Sequence, residues 1–317
     1  MKRRKENLGR LPTEGTNFSS ADLDCKPSLE IARIINREDG KVAGAVRRAL
    51  PQIAQAIDWI AEGIRKRGRL IYVGTGTSGR LGALDASECP PTFGVDPKLV
   101  QFVIAGGTRA LHTAVEASED SRSLGSREMA KRKISKNDIV VGIAASGRTP
   151  FTIAALEYAR RRGAKTIAVT CNPHSALERV ADLTVLVEVG PEVIAGSSRM
   201  KAGTAEKMVL NMLSSGAMTR LGYVYGNLMV NLHRKNSKLL DRGITILERA
   251  SGLSRPAAEK ALKSAGNSVP VALVMVRTAV DRQTAQRALK SSHGHVRQAI
   301  ERASLNSSLN RQKGGRT

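Results

Sequence analysis

The sequence predicts an α/β fold: a doubly wound, mainly parallel five-stranded sheet, with helices before it and a small all-helical domain after it. Five short runs rich in β-branched residues recur: RLIYVG (69–74), VQFVIAG (100–106), DIVVGIAA (138–145), KTIAVTC (165–171) and LTVLVEV (183–189). Continuous apolar runs of this length are what strands buried on both faces carry. Segments with helical spacing separate the first four runs, at 78–88, at 109–132 with a break near Glu119, and at 150–162. Strands alternating with helices imply right-handed crossovers and a parallel sheet covered on both faces. At 317 residues and 41% hydrophobic composition, the chain has enough apolar material for a large domain and a second, smaller one.

The remaining elements follow in order. Residues 28–39 and 42–66 have the spacing of two amphipathic helices, with Trp59 as a core anchor. The link from the fourth to the fifth strand, 173–182, is short for a crossover. Residues 200–221 form a long helix rich in Met and Leu, and a boundary falls near 234–238. Beyond it come short helices at 238–250, 254–265 and 281–291 and an apolar segment at 269–276, with Ser254 and Asp281 where N-cap residues belong. The polar tail, 304–317, is expected to be disordered. The domain reading is an N-terminal extension (1–27), the sheet domain (28–235), the helical domain (236–303) and the tail.

Composition narrows function. The basic start, MKRRKENLGRLPTEG, has no apolar stretch behind it, and no run reaches the length of a membrane span, so a soluble, cytoplasmic protein is expected. Three cysteines, Cys25, Cys89 and Cys171, without a CxxC pair argue against both a disulfide framework and a zinc site. The formal charge of +23 points toward anionic ligands. Because the basic residues are scattered and aromatics make up only 3%, the balance favours a basic surface over a dedicated nucleic-acid site.

The candidate chemistry lies in strand-to-helix turns. GTGTSGR (74–80) follows the first strand, where glycines allow sharp turns and close backbone approach, and Thr75, Thr77 and Ser78 add hydroxyls. With Gly79 and a helix N-terminus, this reads as a phosphate cradle, the alternative being a tight structural turn. AASGRTP (144–150) repeats the design after the third strand with Ser146, Gly147, Arg148 and Thr149 ahead of Pro150. Two such turns on neighbouring strands would share one crevice at the carboxyl edge of the sheet. GSSRMKAGTAEK (196–207) brings Ser197, Ser198, Arg199 and Lys201 to the mouth of the long helix, as either a third anion site or a solvated capping segment.

Taken in register, GTGTSGR, SECPPTF, the stretch from Gly106 to Ser121 with AVEASEDS, GIAASGRTP and GSSRMKAGTA resemble the N-acetylmuramic acid 6-phosphate etherases, a branch of the sugar isomerase (SIS) domain proteins. TEGTN near the start and the helical segment at the end extend the resemblance from about Thr13 to Ile300. The resemblance implies an SIS fold, a UBA-like helical C-terminal domain, a homodimer, and cleavage of the D-lactyl ether at C3 of N-acetylmuramic acid 6-phosphate. The products would be N-acetylglucosamine 6-phosphate and D-lactate, in cell-wall sugar recycling.

Opening the sugar ring makes C1 an aldehyde and the C2 proton acidic. A base removes that proton while lactate departs from C3, and water adds to the double bond, with no metal or redox cofactor required. By resemblance, Glu88 protonates the leaving lactate and Glu119 takes the C2 proton. The apolar neighbours Cys89 and Pro90 are expected to keep Glu88 protonated. Glu116, three residues before Glu119, is expected on the same helix face, holding a sugar hydroxyl. The consecutive prolines Pro90 and Pro91 are expected to stop the helix so that Glu88 is presented at its end. Ten residues of unbroken helix from Ser78 would set Glu88 roughly 15 Å from the phosphate, so either the helix ends early or Glu88 serves the crevice of a second subunit; the second, a site composite across a homodimer, is the expectation. A non-catalytic sugar-phosphate sensor and an aldose–ketose isomerase are the alternatives.

Overall fold

The computed structural model describes residues 11–113, 115–231 and 237–314; the side chains of Glu116, 237–239 and 306–314 lie outside that description. The chain divides into two compact units, Met1–Ser87 with Pro97–Gly216, and Glu88–Asp96 with Ala217–Thr317. The boundary expected near 234–238 falls largely on residues outside the described ones.

In the first unit, β1 (Leu70–Gly74), β2 (Val100–Ile104), β3 (Ile139–Ile143), β4 (Lys165–Thr170) and β5 (Leu183–Leu186) form one sheet in the order β2-β1-β3-β4-β5. Every pairing is parallel, with Gly74 opposite Ile143 and Ile104 at the carboxyl ends. β1 and β3 are buried at all five positions, which is why both read as unbroken apolar runs. The helices are α1 (Ser28–Asp39), α2 (Val42–Arg48), α3 (Leu50–Arg65), α4 (Gly76–Phe93, of which Glu88 onward is assigned to the second unit), α5 (Arg122–Lys131), α6 (Pro150–Arg161), α7 (Ala176–Val180) and α8 (Lys201–Arg220, of which Ala217 onward is assigned to the second unit).

On one face, Ile71, Val73 and Val140 pack with Met129, Phe151, Leu156 and Leu177 from α5, α6 and α7. Burying each large apolar side chain contributes about 1.5–3 kcal/mol. On the other face glycines let helices approach. A Cβ on Gly82 of α4 would stand 2.9 Å from the Tyr72 Cβ, and one on Gly216 of α8 would stand 2.5 Å from Ile57 of α3. The 11–27 segment is tied to the rest of the first unit. Thr13 donates its amide to the Asn172 side chain at 3.3 Å, and Ser20 Oγ donates to the Val193 carbonyl at 2.7 Å.

Several expectations need correction. The helix expected at 42–66 is two helices, because Pro51 stands in the first turn of α3 and starts it anew. Trp59 is half-buried with the Lys165 ammonium 4.3 Å above its ring, a cation–π contact rather than a core anchor. Among its described residues the first half of 109–132 forms only 3₁₀ turns, Gly107–Leu111 and Glu116–Ser118, so Glu116 and Glu119 do not lie on one α-helix. Pro90 and Pro91 do not stop α4, which runs on to Phe93. They remove only the donors that would reach the Ala86 and Ser87 carbonyls. Termination comes at Gly94, left-handed at φ +66°, whose amide donates to the Pro90 carbonyl at 2.9 Å.

In the second unit, α9 (Ser237–Ser251), α10 (Arg255–Ser264), α11 (Val269–Thr278), α12 (Arg282–Ser291) and α13 (Val296–Gly314) enclose a core that includes Leu247, Leu262, Leu273, Leu289 and Val296. Asp281 caps α12 by accepting the Thr284 amide at 2.7 Å, whereas Ser254 holds the cap position of α10 without a side-chain bond. A short hairpin, β6 (Val224–Tyr225) with β7 (Leu228–Met229), was not expected. The tail expected to be disordered is helical to Gly314, since no glycine or proline interrupts α13 before that point. Among the described residues no helix is long and apolar enough to cross a membrane.

Candidate active site

The strand order reverses between β1 and β3, and the two hydroxyl-rich turns leave the carboxyl ends of these neighbours. In open α/β sheets that crevice is where ligands bind. The β1 turn is built by glycine. A Cβ on Gly74 would lie 2.8 Å from the Gly79 nitrogen, one on Gly79 would lie 2.6 Å from Ile104 Cγ1, and Gly76 is left-handed at φ +48°. These contacts seat the first turn of α4 on the strand tips, leaving its first amides and the positive end of its dipole at the crevice. Thr77 and Ser78 stand half-buried in that turn.

The β3 turn is held from behind. Gly147 is left-handed at φ +63°, and any side chain there would strike Ser175 at 2.3 Å. The Ala145 carbonyl accepts from the Cys171 amide at 3.0 Å and from Asn172 Nδ2 at 2.8 Å. Ser146 Oγ accepts the Arg148 amide at 3.2 Å, and Thr149 stands at the N-cap of α6 without a side-chain cap bond. Ser146, Arg148 and Thr149 are all half-buried at the turn.

Glu119 joins the two turns. Its Oε1 stands 3.4 Å from where a Cβ on Gly76 would be, and its carbonyl accepts the Phe151 amide at the start of α6 at 3.0 Å. A half-buried carboxyl group is thus positioned at the mouth of the β1 turn. The Glu116 side chain lies outside the described residues.

The 196–207 stretch behaves differently from its expectation. Lys201 is almost fully buried, and its ammonium donates to Glu38 Oε2 at 2.8 Å. The first amides of α8, those of Lys201 and Ala202, both donate to the Glu192 carboxylate at 2.9 Å. The chain's own carboxylates occupy the helix mouth and the lysine, so Lys201 does not serve an anion from solution. Burial raises the Glu192 pKa against these two amide bonds. Burial also works against Glu38, but hydrogen bonds led by Lys201 and Lys41 hold it at about 2. Ser197 and Ser198 are half-buried on the loop before α8, where the Ser198 carbonyl accepts the Gly203 amide at 2.9 Å. A Cβ on Gly203 would in turn stand 3.4 Å from Thr77 Cγ2, so this loop and the β1 turn adjoin.

One residue at the site escaped the sequence reading. Glu206, in the second turn of α8, is 1% exposed and accepts the Ser78 hydroxyl at 2.9 Å. The signal was available: Ala202, Ala205, Val209 and Leu213 form the buried stripe of α8, and an acid stands within it. Burial raises its pKa to about 8 despite the Ser78 hydrogen bond. Asp85, also buried on α4, is a structural acid instead, accepting from Tyr72 Oη at 2.8 Å, Asn211 Nδ2 at 2.7 Å and Ser214 Oγ at 3.1 Å.

Glu88 falls in the other unit. It is exposed on α4 in a stripe with Leu84, Ser87 and Pro91, while Cys89 turns inward. The apolar shelter expected from Cys89 and Pro90 therefore does not surround it within one chain, because neighbours in sequence point to different sides of a continuous helix.

Comparison with known proteins settles the family. A curated N-acetylmuramic acid 6-phosphate etherase from Clostridium botulinum (strain Langeland) is 50% identical over 94% of this chain and 99% of its own length. The chain belongs to the N-acetylmuramic acid 6-phosphate etherase family. Another member, from Symbiobacterium thermophilum, is 56% identical over 86% of this chain and 91% of its own. The models of the SIS domain and of the glucokinase regulatory protein N-terminal SIS domain match residues 112–215 and 52–160. Among solved structures, a phosphoheptose isomerase from Francisella tularensis superposes with a TM-score of 0.50 at 19% identity, covering 61% of this chain and 100% of that one. At that identity the likeness is one of fold, and it matches the parallel SIS sheet described above.

Proposed function

We propose that this enzyme cleaves the D-lactyl ether of N-acetylmuramic acid 6-phosphate, with Glu119 as the base at C2 and Glu88 as the acid at the ether oxygen. The observation that carries the reading is the Glu119 carboxylate beside Gly76, at the opening of a glycine-built turn whose hydroxyls and helix N-terminus suit a phosphate. The family relationship supports both the substrate and the division of labour between Glu88 and Glu119, and the placement of Glu119 at the β1 turn agrees with the role of base. Thr77, Ser78 and Gly79 hold the phosphate with help from Ser146, Gly147, Arg148 and Thr149; Ser197 and Ser198 border it, and Glu116 holds a sugar hydroxyl.

With the ring open, Glu119 takes the C2 proton, the C3–O bond breaks with its electron pair leaving on lactate, and Glu88 supplies the proton that lactate needs. Water then adds across C2 and C3, its hydroxyl to C3 and a proton to C2, so the sum is substrate plus water to N-acetylglucosamine 6-phosphate and D-lactate. Aldose–ketose isomerisation would share the base at C2 and release no lactate.

The active form in this reading is a cytoplasmic homodimer in which Glu88 serves the crevice of a second copy. Support comes from α4, where Leu84, 52% exposed, and Glu88 share an uncovered stripe. Mixing a Glu88→Gln chain with a Ser78→Ala chain tests it. Partial recovery of D-lactate release is expected, and no recovery after subunit exchange would rule out the shared site.

A further inference from the structure

Glu206 is an acid in the buried stripe of α8, beside Ala202, Ala205 and Val209, and among the described residues its side chain accepts one hydrogen bond, from Ser78 Oγ at 2.9 Å. A serine hydroxyl carries one proton. When Glu206 is ionised, that proton must go to the carboxylate, and Ser78 offers an incoming phosphate only lone pairs. When Glu206 is neutral, its own O–H can donate to Ser78 Oγ, and the serine proton is released toward a phosphate oxygen. A separation of 2.9 Å suits either direction.

We propose that Glu206 is a positioning residue of the phosphate site: as the neutral acid it turns the Ser78 hydroxyl outward as a donor, and on ionisation it turns that hydroxyl inward and weakens anion binding. The proposal rests on the reading of the 74–80 turn as the phosphate cradle. Two observations besides the hydrogen bond support it. Thr77, the neighbour of Ser78, meets the same helix one turn earlier at Gly203, so α8 backs the whole cradle turn. Burial raises the pKa of Glu206 to about 8, so the neutral form prevails at pH 7 and the ionised form above about pH 8.

The surrounding ionisable groups are otherwise engaged. Arg80 on α4 donates to the Ala110 and Thr113 carbonyls, Lys201 pairs with Glu38, and Glu192 caps α8. Burial holds the Cys171 thiol, just after β4, well above its ordinary pKa, and Glu206 and Glu192 add to this where they are ionised. Glu119, on the loop after β2, lies at Gly76.

The test is the affinity for N-acetylglucosamine 6-phosphate, measured by calorimetry at pH 7 and pH 9, where its phosphate is a dianion throughout. A single required proton with a pKa of about 8 weakens binding about tenfold over that interval. Glu206→Gln, whose amide donates at every pH, should bring the ratio of the two dissociation constants to about one. Ser78→Ala should do the same, and it carries the test if the glutamine variant does not fold. A wild-type ratio near one, a ratio near ten that survives in either variant, or no wild-type binding at pH 7 would overturn the proposal. D-lactate release by the same wild-type sample at pH 7 reports separately on the proposed reaction. Lactate with a flat affinity profile sinks only the role of Glu206, and a tenfold profile without lactate sinks only the reaction.

Discussion

Replacing Glu206 with glutamine should change how stability responds to pH, and the size of the change follows from its burial. In the unfolded chain the carboxyl ionises near 4.5; in the fold it keeps its proton to about 8. Between these values the folded state binds a proton that the unfolded state has lost, so wild-type stability falls as pH rises through 4.5 and levels off above 8. From 4.5 to pH 7 the interval is 2.5 units, at about 1.4 kcal/mol each, or about 3 kcal/mol. The glutamine variant has no such proton. Urea unfolding followed by the fluorescence of Trp59, the sole tryptophan and part of the first unit, reads the relevant unit. The stability of Glu206→Gln minus that of wild type should rise by about 3 kcal/mol between pH 4.5 and pH 7. A difference that stays flat over this range would refute the claim that a neutral acid is held in the α8 stripe.

Two further outcomes follow from the same geometry. Lys201→Met removes one of the cations that hold Glu38 at about 2 and leaves a buried carboxylate short of a partner. It should cost about 3–5 kcal/mol at pH 7 by urea unfolding. Because Glu38 is depressed, its contribution is present above its unfolded value of 4.5 and is lost as pH falls through 2, and the loss in that window should be smaller in the variant. Gly79→Ala places a methyl 2.6 Å from Ile104 Cγ1 and 2.9 Å from the Gly74 carbonyl. It should lower stability by about 1–3 kcal/mol and raise KM for the sugar phosphate more than it lowers kcat, as initial-rate measurements can show.

The sheet and its switch point were legible because strands buried on both faces cannot hide their apolar runs, and the Gly74, Gly76 and Gly79 pattern marks a close strand-to-helix approach that only glycine permits. Glu119, singled out by its motif, lies in the structure with its Oε1 3.4 Å from where a Cβ on Gly76 would be. What escaped reading depends on partners far away in sequence. Nothing local to Lys201 reveals Glu38, 163 residues earlier, and so a lysine that looked available for an anion is spent internally. For Glu206 the apolar stripe of α8 betrays a buried acid, but its partner Ser78, 128 residues away, is not legible locally. Pro90 and Pro91 misled in another way: late in a helix they delete donors without ending the coil, and Gly94 decides where α4 stops.

The central claim is that a carboxylate at the β1 turn takes the C2 proton of an anchored sugar phosphate while lactate leaves C3. Turnover of N-acetylmuramic acid 6-phosphate in deuterated water, read by mass and NMR spectroscopy of the products, tests it most directly. D-lactate should form in equal amount with N-acetylglucosamine 6-phosphate that carries deuterium at C2, and Glu119→Gln should lower the rate by about 10²- to 10⁴-fold. Lactate released with the original C2 hydrogen retained, or no lactate at all, would contradict it.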